Sequence, residues 1–429
     1  MSHSALSRRD VLRAAAALAA IGTVGACGKS GDTEEAGGVV TVDLWHGQVD
    51  TGKAAIDALI TEFNKTHPTI KVVGGGGGVT ADSMLQKVTA GLAAGSYPDV
   101  AYIFGSDLAS LTRSPKVADL SDAMKLDDIW PAAKDAVTVK GKVRAAPALL
   151  DSLCLVYNKK LFSAAGLPEP KPGWTWDDFV TTAKTLTNPG KGIFGTGWPG
   201  VGDEDTVWRL WPMIWDLGGD VVNSDGKSVA FDKVGEQALG TLDRLRTDKS
   251  LYVDPKPGGE QLYQVFLGGR MGMVATGPWQ LPDILDTGLE YGVVPLPSYS
   301  GKPVTISGPD TWTVFDNGKA KVKAATEFVT WLSKPEQDIQ WDIEGGSLPI
   351  SKATAALPQW KKHATETNGL QVFVDALDTA KVRPTITAYP QISQHLGQAI
   401  VAVLLGKKRP ADALKECVDK SNAALAVPN

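Results

Sequence analysis

Along residues 39–104 the apolar residues switch repeatedly between strand and helix periods, and this alternation restricts the fold more than any other feature of the chain. Residues 39–45 (VVTVDLW) are rich in β-branched side chains and read as a strand. Residues 52–67 carry Ile56, Leu59, Ile60 and Phe63 at helical spacing, and Pro68 stops the helix. Residues 70–73 form a second strand that runs into the glycines 74–78. Residues 84–94 read as a helix and 99–104 as a third strand. Strands alternating with amphipathic helices predict an α/β fold with mainly parallel sheets flanked by helices. The alternation resumes later. Residues 149–157 read as one long strand, residues 176–186, 206–217 and 234–248 as helices, and residues 271–275, 291–295 and 311–315 as short strands. From Val322 onward the pattern is mainly helical.

The N-terminus reads differently. Ser7-Arg8-Arg9-Asp10-Val11-Leu12 precedes an uncharged run over 14–28, with Val24-Gly25-Ala26 directly before Cys27. Paired arginines, a short apolar core and small residues at the end make an export signal over 1–26. Its apolar stretch of about 15 residues is shorter than the roughly 20 that cross a bilayer. A cysteine in this place resembles the lipobox of bacterial lipoproteins, which implies acylation of Cys27. The small, polar and charged residues 27–38 suit a tether. The expectation is an extracytoplasmic protein held at the cell membrane by its N-terminal lipid, exported by a twin-arginine-type or general secretory route.

About 400 residues then remain, enough for two domains with full cores. A net charge of -5 with interspersed signs leaves no basic footprint, so no nucleic-acid partner is expected. His3, His46, His67, His363 and His395 lack ligand spacing, and neither a metal nor a cofactor is expected. The glycines 74–78 lack the Lys-Ser/Thr of a phosphate loop and read as a flexible turn. No Gly-x-Ser-x-Gly elbow is present. Cys154, inside an apolar run, reads as a buried thiol, although a pairing with Cys417 stays open. Tryptophan is in excess, 13 residues against 10 Phe and 8 Tyr. Most should fill cores, but an indole also stacks on a sugar face or around a quaternary ammonium. Among the acids, Asp151 and Asp310 each stand alone in an apolar or turn-forming stretch and need hydrogen-bonding partners. Asp203, Glu204 and Asp205, beside Trp208, read as a solvated turn.

Several segments carry a resemblance. Asp151-Ser-Leu-Cys-Leu-Val-Tyr157-Asn158-Lys159-Lys160-Leu-Phe162 leads to Ala165-Gly166-Leu167-Pro168 and Trp174-Thr175-Trp176-Asp177-Asp178-Phe179. Trp215-Asp-Leu-Gly218-Gly219-Asp220, Phe266-Leu-Gly-Gly-Arg-Met271-Gly-Met273, Thr276-Gly277-Pro278-Trp279 and Val294-Pro295-Leu296-Pro297 follow. Gly345-Gly346-Ser-Leu348-Pro349, Arg383-Pro384 and Tyr389-Pro390-Gln391-Ile392 close the series. In order and spacing these segments resemble the extracellular solute-binding proteins of ABC sugar importers, the maltose-binding-protein-like family 1, over about residues 39–425.

The resemblance implies a periplasmic-binding-protein-like fold, with ligand held between two discontinuous lobes. Lobe one would be 39–149 plus 297–328, and lobe two 150–296 plus 329–429. It also implies a carbohydrate ligand, membrane permease subunits as partners, a monomer, and binding without catalysis. Carried over residue by residue, the ligand-binding set is His46, Gln48, Ser106, Asp107, Asp151, Trp208, Trp279, Asp310 and Arg383. Gln48 departs from the charge that maltodextrin binders carry there, and Asp310 stands where relatives have Gly-Gly. The same family carries glycerophosphodiesters such as glycerophosphocholine, the alternative ligand class. An exported glycoside hydrolase, which needs two carboxylates about 5–10 Å apart, is a more remote alternative.

Overall fold

In the computed structural model, residues 38–427 are described; Cys27, the expected signal 1–26 and nearly all of the tether lie outside them. The strands Val40–Trp45, Ile70–Gly75 and Val100–Phe104 and the helices Asp50–Thr66 and Met84–Ala94 stand where the apolar periods put them. Ala55, Ile56, Leu59, Ile60 and Phe63 form the buried face of helix Asp50–Thr66. Helix Trp176–Leu186 opens on a reciprocal cap, in which Thr175 accepts from the Asp178 N–H while the Asp178 side chain accepts from the Thr175 N–H.

The first sheet has the order Ile70–Gly75, Val40–Trp45, Val100–Phe104, Asp310–Val314, Ala146–Leu149. Its first three strands are parallel, and Asp310–Val314 runs antiparallel to both of its neighbours. That reversal has a topological cause: Val100–Phe104 ends at the edge of the lobe where Asp310–Val314 begins, so Phe104 and Asp310 are register partners. The second lobe departs further from the expected parallel arrangement. Its central strand Cys154–Asn158 lies between Met273–Thr276 and Tyr291–Val294, both antiparallel to it, and the parallel pairings are two-stranded: Thr196–Pro199 with Leu251–Asp254, and Thr305–Ser307 with Ala380–Val382. The strand that enters from the first lobe is thus flanked by two that run back.

Residues 149–157 are not one strand. Ala146–Leu149 belongs to the first sheet and Cys154–Asn158 to the second, and the intervening residues are a crossing between lobes. Its backbone groups are satisfied by two other crossings. Leu150 and Leu348 exchange N–H···O bonds of 3.2 and 2.8 Å, and the Leu153 N–H reaches the Ile306 carbonyl at 3.2 Å. The expected helix over 206–217 is likewise two short helices, Glu204–Trp208 and Trp211–Asp216, with Pro212 in the first turn of the second.

Two large apolar clusters back the lobes. Beneath the first sheet lie Leu44, Val100, Phe328, Trp331, Leu332 and Trp341, and beneath the second Leu155, Trp211, Ile306, Ile392 and Ile400, among others. Ile306 therefore packs with the second lobe, although the expected exchange after Leu296 assigns it to the first. Trp331 and Trp341 pack with the first, although an exchange after Phe328 assigns them to the second. The helices Lys319–Leu332 and Pro335–Gly345 lie on Val40–Trp45 and Asp50–Thr66 respectively, which explains that placement. Cys154 and Cys417 are both buried, free thiols.

Candidate functional site

Where the chain crosses between lobes, the structure encloses a cavity of about 430 Å³ lined from both sides. The first lobe supplies the loop after its first strand, including Gln48, together with Tyr102 and Phe104, at the end of the third strand. These two residues share a strand face at a spacing of two. The second lobe supplies Trp208, Tyr263 and Trp279. Trp341 and Gly346 approach from the helix Pro335–Gly345 and its C-terminal turn.

The aromatic wall is built by close packing. The Trp208 and Trp279 rings lie 5.6 Å apart between centroids at an interplanar angle of 47°. The Trp279 indole folds back over its own turn, so a Cβ at Gly277 would meet the ring at 1.8 Å. Gly346, at φ +75°, brings its backbone against that of Pro278 and Trp279, and a Cβ there would stand 2.7 Å from the Trp279 Cα. Trp208 is 6% exposed, and its indole N–H has no partner within the protein.

The floor is made of acids. Asp151, in the crossing, accepts from the Gly308 N–H at 2.5 Å, which ties two crossings together. Asp310 accepts from the Tyr102 hydroxyl at 2.5 Å on one oxygen, and its other oxygen has no protein partner. Burial pushes the Asp151 carboxyl up to about 7, against the opposing pull of the Gly308 N–H and Arg383. Burial and the neighbouring Asp151 push Asp310 up to about 8. Arg383 lies below, its guanidinium bonded to Glu204 at 2.8 Å and 5.6 Å from the Phe104 ring centroid. Glu204 also accepts from the Tyr389 hydroxyl at 2.6 Å and from Ser393.

The expected site residues divide on this geometry. Gln48, Asp151, Trp208, Trp279, Asp310 and Arg383 all line the cavity. His46 lies behind it, fully buried; its Nδ1 accepts from the Gln48 N–H at 3.0 Å, which shapes the loop, and burial lowers its pKa. Ser106 and Asp107 are also off the lining, in the short helix Gly105–Leu111 that packs on helix Tyr389–Leu404 of the other lobe. Burial and Glu204 push the Asp107 carboxyl up to about 8.

Asp203 to Asp205 are not a solvated turn. Asp203 caps helix Glu204–Trp208 by accepting from the Thr206 N–H at 3.1 Å, Glu204 pairs with Arg383, and Asp205 pairs with the buried Arg209 at 2.8 Å. The partner arginine of Glu204 is far along the sequence, so nothing local marks the pair. Tyr102, Phe104, Tyr263 and Trp341 were also missed. The strand-end spacing of Tyr102 and Phe104 was the one available signal.

Two α/β lobes joined by three crossings, with a cavity at those crossings, define a ligand-binding protein of the two-lobed type. Residues 47–339 match the model of the family described as bacterial extracellular solute-binding protein, and the chain belongs to that family. Among curated relatives, the sn-glycerol-3-phosphate-binding periplasmic protein UgpB of Salmonella typhimurium is 24% identical over 421 residues, covering 92% of this chain and 94% of the relative. Among solved structures, an ABC-transporter solute-binding protein of Thermotoga lettingae bound with alpha-D-tagatose superposes with a TM-score of 0.82 at 24% identity, over 90% of this chain and all of that one (100%). The cyclic alpha-maltosyl-1,6-maltose binding protein of Arthrobacter globiformis superposes with a TM-score of 0.72 at 27% identity, over 90% and 99% of the two chains.

Proposed function

We propose that this solute-binding protein captures a carbohydrate, an oligosaccharide or glycoside, between its lobes and delivers it to the membrane permease of an ABC importer. One observation carries the reading: indoles and carboxylates converge on a cavity of about 430 Å³, within the size range of small-molecule sites. A neutral sugar offers a C–H face and many hydroxyls. Indoles cover the first, and carboxylates accept strongly from the second. Gln48, Asp151, Trp208, Trp279, Asp310 and Arg383 would touch the ligand, while His46, Ser106 and Asp107 support the loops and the lobe interface from behind. Lobe closure completes both sets of contacts and makes a shape the permease can read.

The packing described above favours lobe exchanges at about residues 150, 308 and 347. The protein would act as a monomer, tethered through an acylated Cys27 and exported by a twin-arginine-type or general secretory signal. Membrane retention of a Cys27→Ala protein would count against that anchor.

A thermal-shift screen against mono-, di- and oligosaccharides tests the ligand class, since a ligand selective for the folded state raises the melting temperature. Calorimetry on the hits gives affinities, and thin-layer analysis of the same mixtures should show no new product. A folded protein that responds to no carbohydrate would overturn the reading. The second ligand class, a glycerophosphodiester, is favoured by the resemblance to the glycerol-phosphate binder and enters the same screen.

A further inference from the structure

The cavity lining is acidic on every side. Asp82 from the first lobe and Asp205 from the second flank the same turn: a Cβ at Gly258 would lie 3.1 Å from Asp82 Oδ2, and one at Gly259 3.0 Å from Asp205 Oδ2. Asp283 and Glu260 add to the rim, and Asp151 and Asp310 to the floor. Among the described residues, Arg383 is the only basic side chain in the lining. Its charge is already committed to Glu204, and its Nη2 and the Asp151 carboxylate converge on Gly308, where a Cβ would meet them at 3.1 and 3.3 Å. Arg209, the next guanidinium, is spent on Asp205, the Tyr263 hydroxyl and the Ala275 carbonyl. One guanidinium therefore faces Asp107, Asp151, Glu204 and Asp310 together. Trp208 and Trp279, whose ring faces are negative by their quadrupole, line the same cavity. The unpartnered Asp310 oxygen belongs to a side chain only 6% exposed.

Resting on the carbohydrate reading, we infer that the ligand carries a positively charged amine on its sugar frame: the cleft juxtaposes acidic side chains that outnumber its one lining guanidinium, an unpartnered Asp310 oxygen and two indoles, and offers an anion no free cation. An ammonium group would pair with Asp310 and Asp151 and lie against Trp208 and Trp279. A phosphomonoester such as sn-glycerol-3-phosphate would enter an acid-rich, low-dielectric site whose one lining guanidinium is already paired with Glu204, so the site disfavours it. Burial first, with Glu204 adding at Asp107 and Asp151 adding at Asp310, pushes these carboxyls above the usual range, to about 8 for Asp107, about 7 for Asp151 and about 8 for Asp310, so each holds its proton towards neutral pH. A cationic ligand displaces those protons. Its affinity therefore rises with pH across the range in which these carboxyls ionise, until the ligand amine itself deprotonates.

The test is calorimetric, on the whole chain, with matched ligands that share one frame: cello-oligosaccharides, their 2-amino counterparts and their N-acetylated counterparts, beside the hexose and hexosamine monomers. Glycerophosphocholine and sn-glycerol-3-phosphate form separate arms. The amine member should bind at least about tenfold tighter than its neutral parent at pH 7, and raising the salt should narrow the gap. Asp310→Asn should shrink the preference, read as the ratio of amine to neutral-parent affinity within the variant, to about threefold or less. If that variant does not fold, the wild type still decides: amine binding should release protons to the buffer, and binding of the neutral parent should not. A neutral or acetylated member that binds as tightly as the amine overturns the inference and leaves the carbohydrate reading intact. Binding of glycerophosphocholine alone moves the cation to a choline and overturns the amino-sugar source. Binding of sn-glycerol-3-phosphate refutes the charge argument, and a folded protein that takes no sugar ends both readings.

Discussion

The two walls of the cleft are made by different physics. The second lobe presents indoles held by close packing, with Trp279 seated over Gly277 and Trp208 against Trp279. The first lobe presents a loop and a strand end whose polar groups are aimed by hydrogen bonds, with His46 holding Gln48 and Tyr102 holding Asp310. The aromatic wall supplies area with little directional demand; the polar wall supplies direction with little area. Affinity should therefore depend mainly on the second lobe, and selectivity on the first lobe and the crossings.

The comparison breaks most easily at Trp279. Trp279→Ala removes a cleft-lining indole, and binding of the best carbohydrate hit in calorimetry should weaken roughly 30-fold, a loss of about 2 kcal/mol. Unchanged affinity would mean the indole is only packing. Gly277→Ala tests the same wall without touching the indole chemistry. The new methyl displaces the ring, and the loss should be about tenfold with the fold intact by circular dichroism. Asp151→Asn sharpens the other half. It keeps an oxygen to accept from the Gly308 N–H and removes the charge, so affinity should fall about fivefold while the melting temperature holds or rises. A matching loss of stability would place Asp151 in the crossing alone.

The same contrast explains what was legible in the sequence. Elements with a strong internal period, such as helix Asp50–Thr66 and helix Trp176–Leu186, can be read because their buried faces are local patterns. Residues 149–157 could not be divided that way. Leu149 and Cys154 are both apolar, and the change of sheet between them is enforced by Ile306, Gly308 and Leu348, which lie far along the chain. The indoles Trp208 and Trp279 were readable as residue types suited to a sugar. Glu204 was not, because its burial depends on Arg383 and Tyr389, and a carboxylate beside two others looks solvated until its partner arrives. Strand direction in the second lobe was hidden for a related reason: a short apolar run looks the same in either direction.

The smallest expected effect lies just behind the cleft, in a second acid pair. Asp338 and Asp342 are almost fully buried on one helix, and each has one oxygen without a protein partner. Burial pushes Asp338 up to about 7; burial and then Asp338 push Asp342 well above the usual carboxylate range. Because the folded state holds these protons more tightly than the unfolded chain, the pair's stabilising contribution is full below about pH 4 and is lost as pH rises towards 7. Asp342→Asn keeps an acceptor for the Ser347 hydroxyl, which bonds Asp342 Oδ1 at 2.7 Å, and removes the titration. The variant's melting temperature relative to wild type should therefore improve by about 2–4 °C between pH 5 and pH 8. A pH-independent difference would show that the pair shares no titrating proton. The helix Pro335–Gly345 ends at Gly346, against Pro278 and Trp279, so the same variant reports whether charge behind the wall reaches the indole. Sugar affinity unchanged at pH 8 while stability improves would confine the acid pair to folding and leave recognition to the two walls.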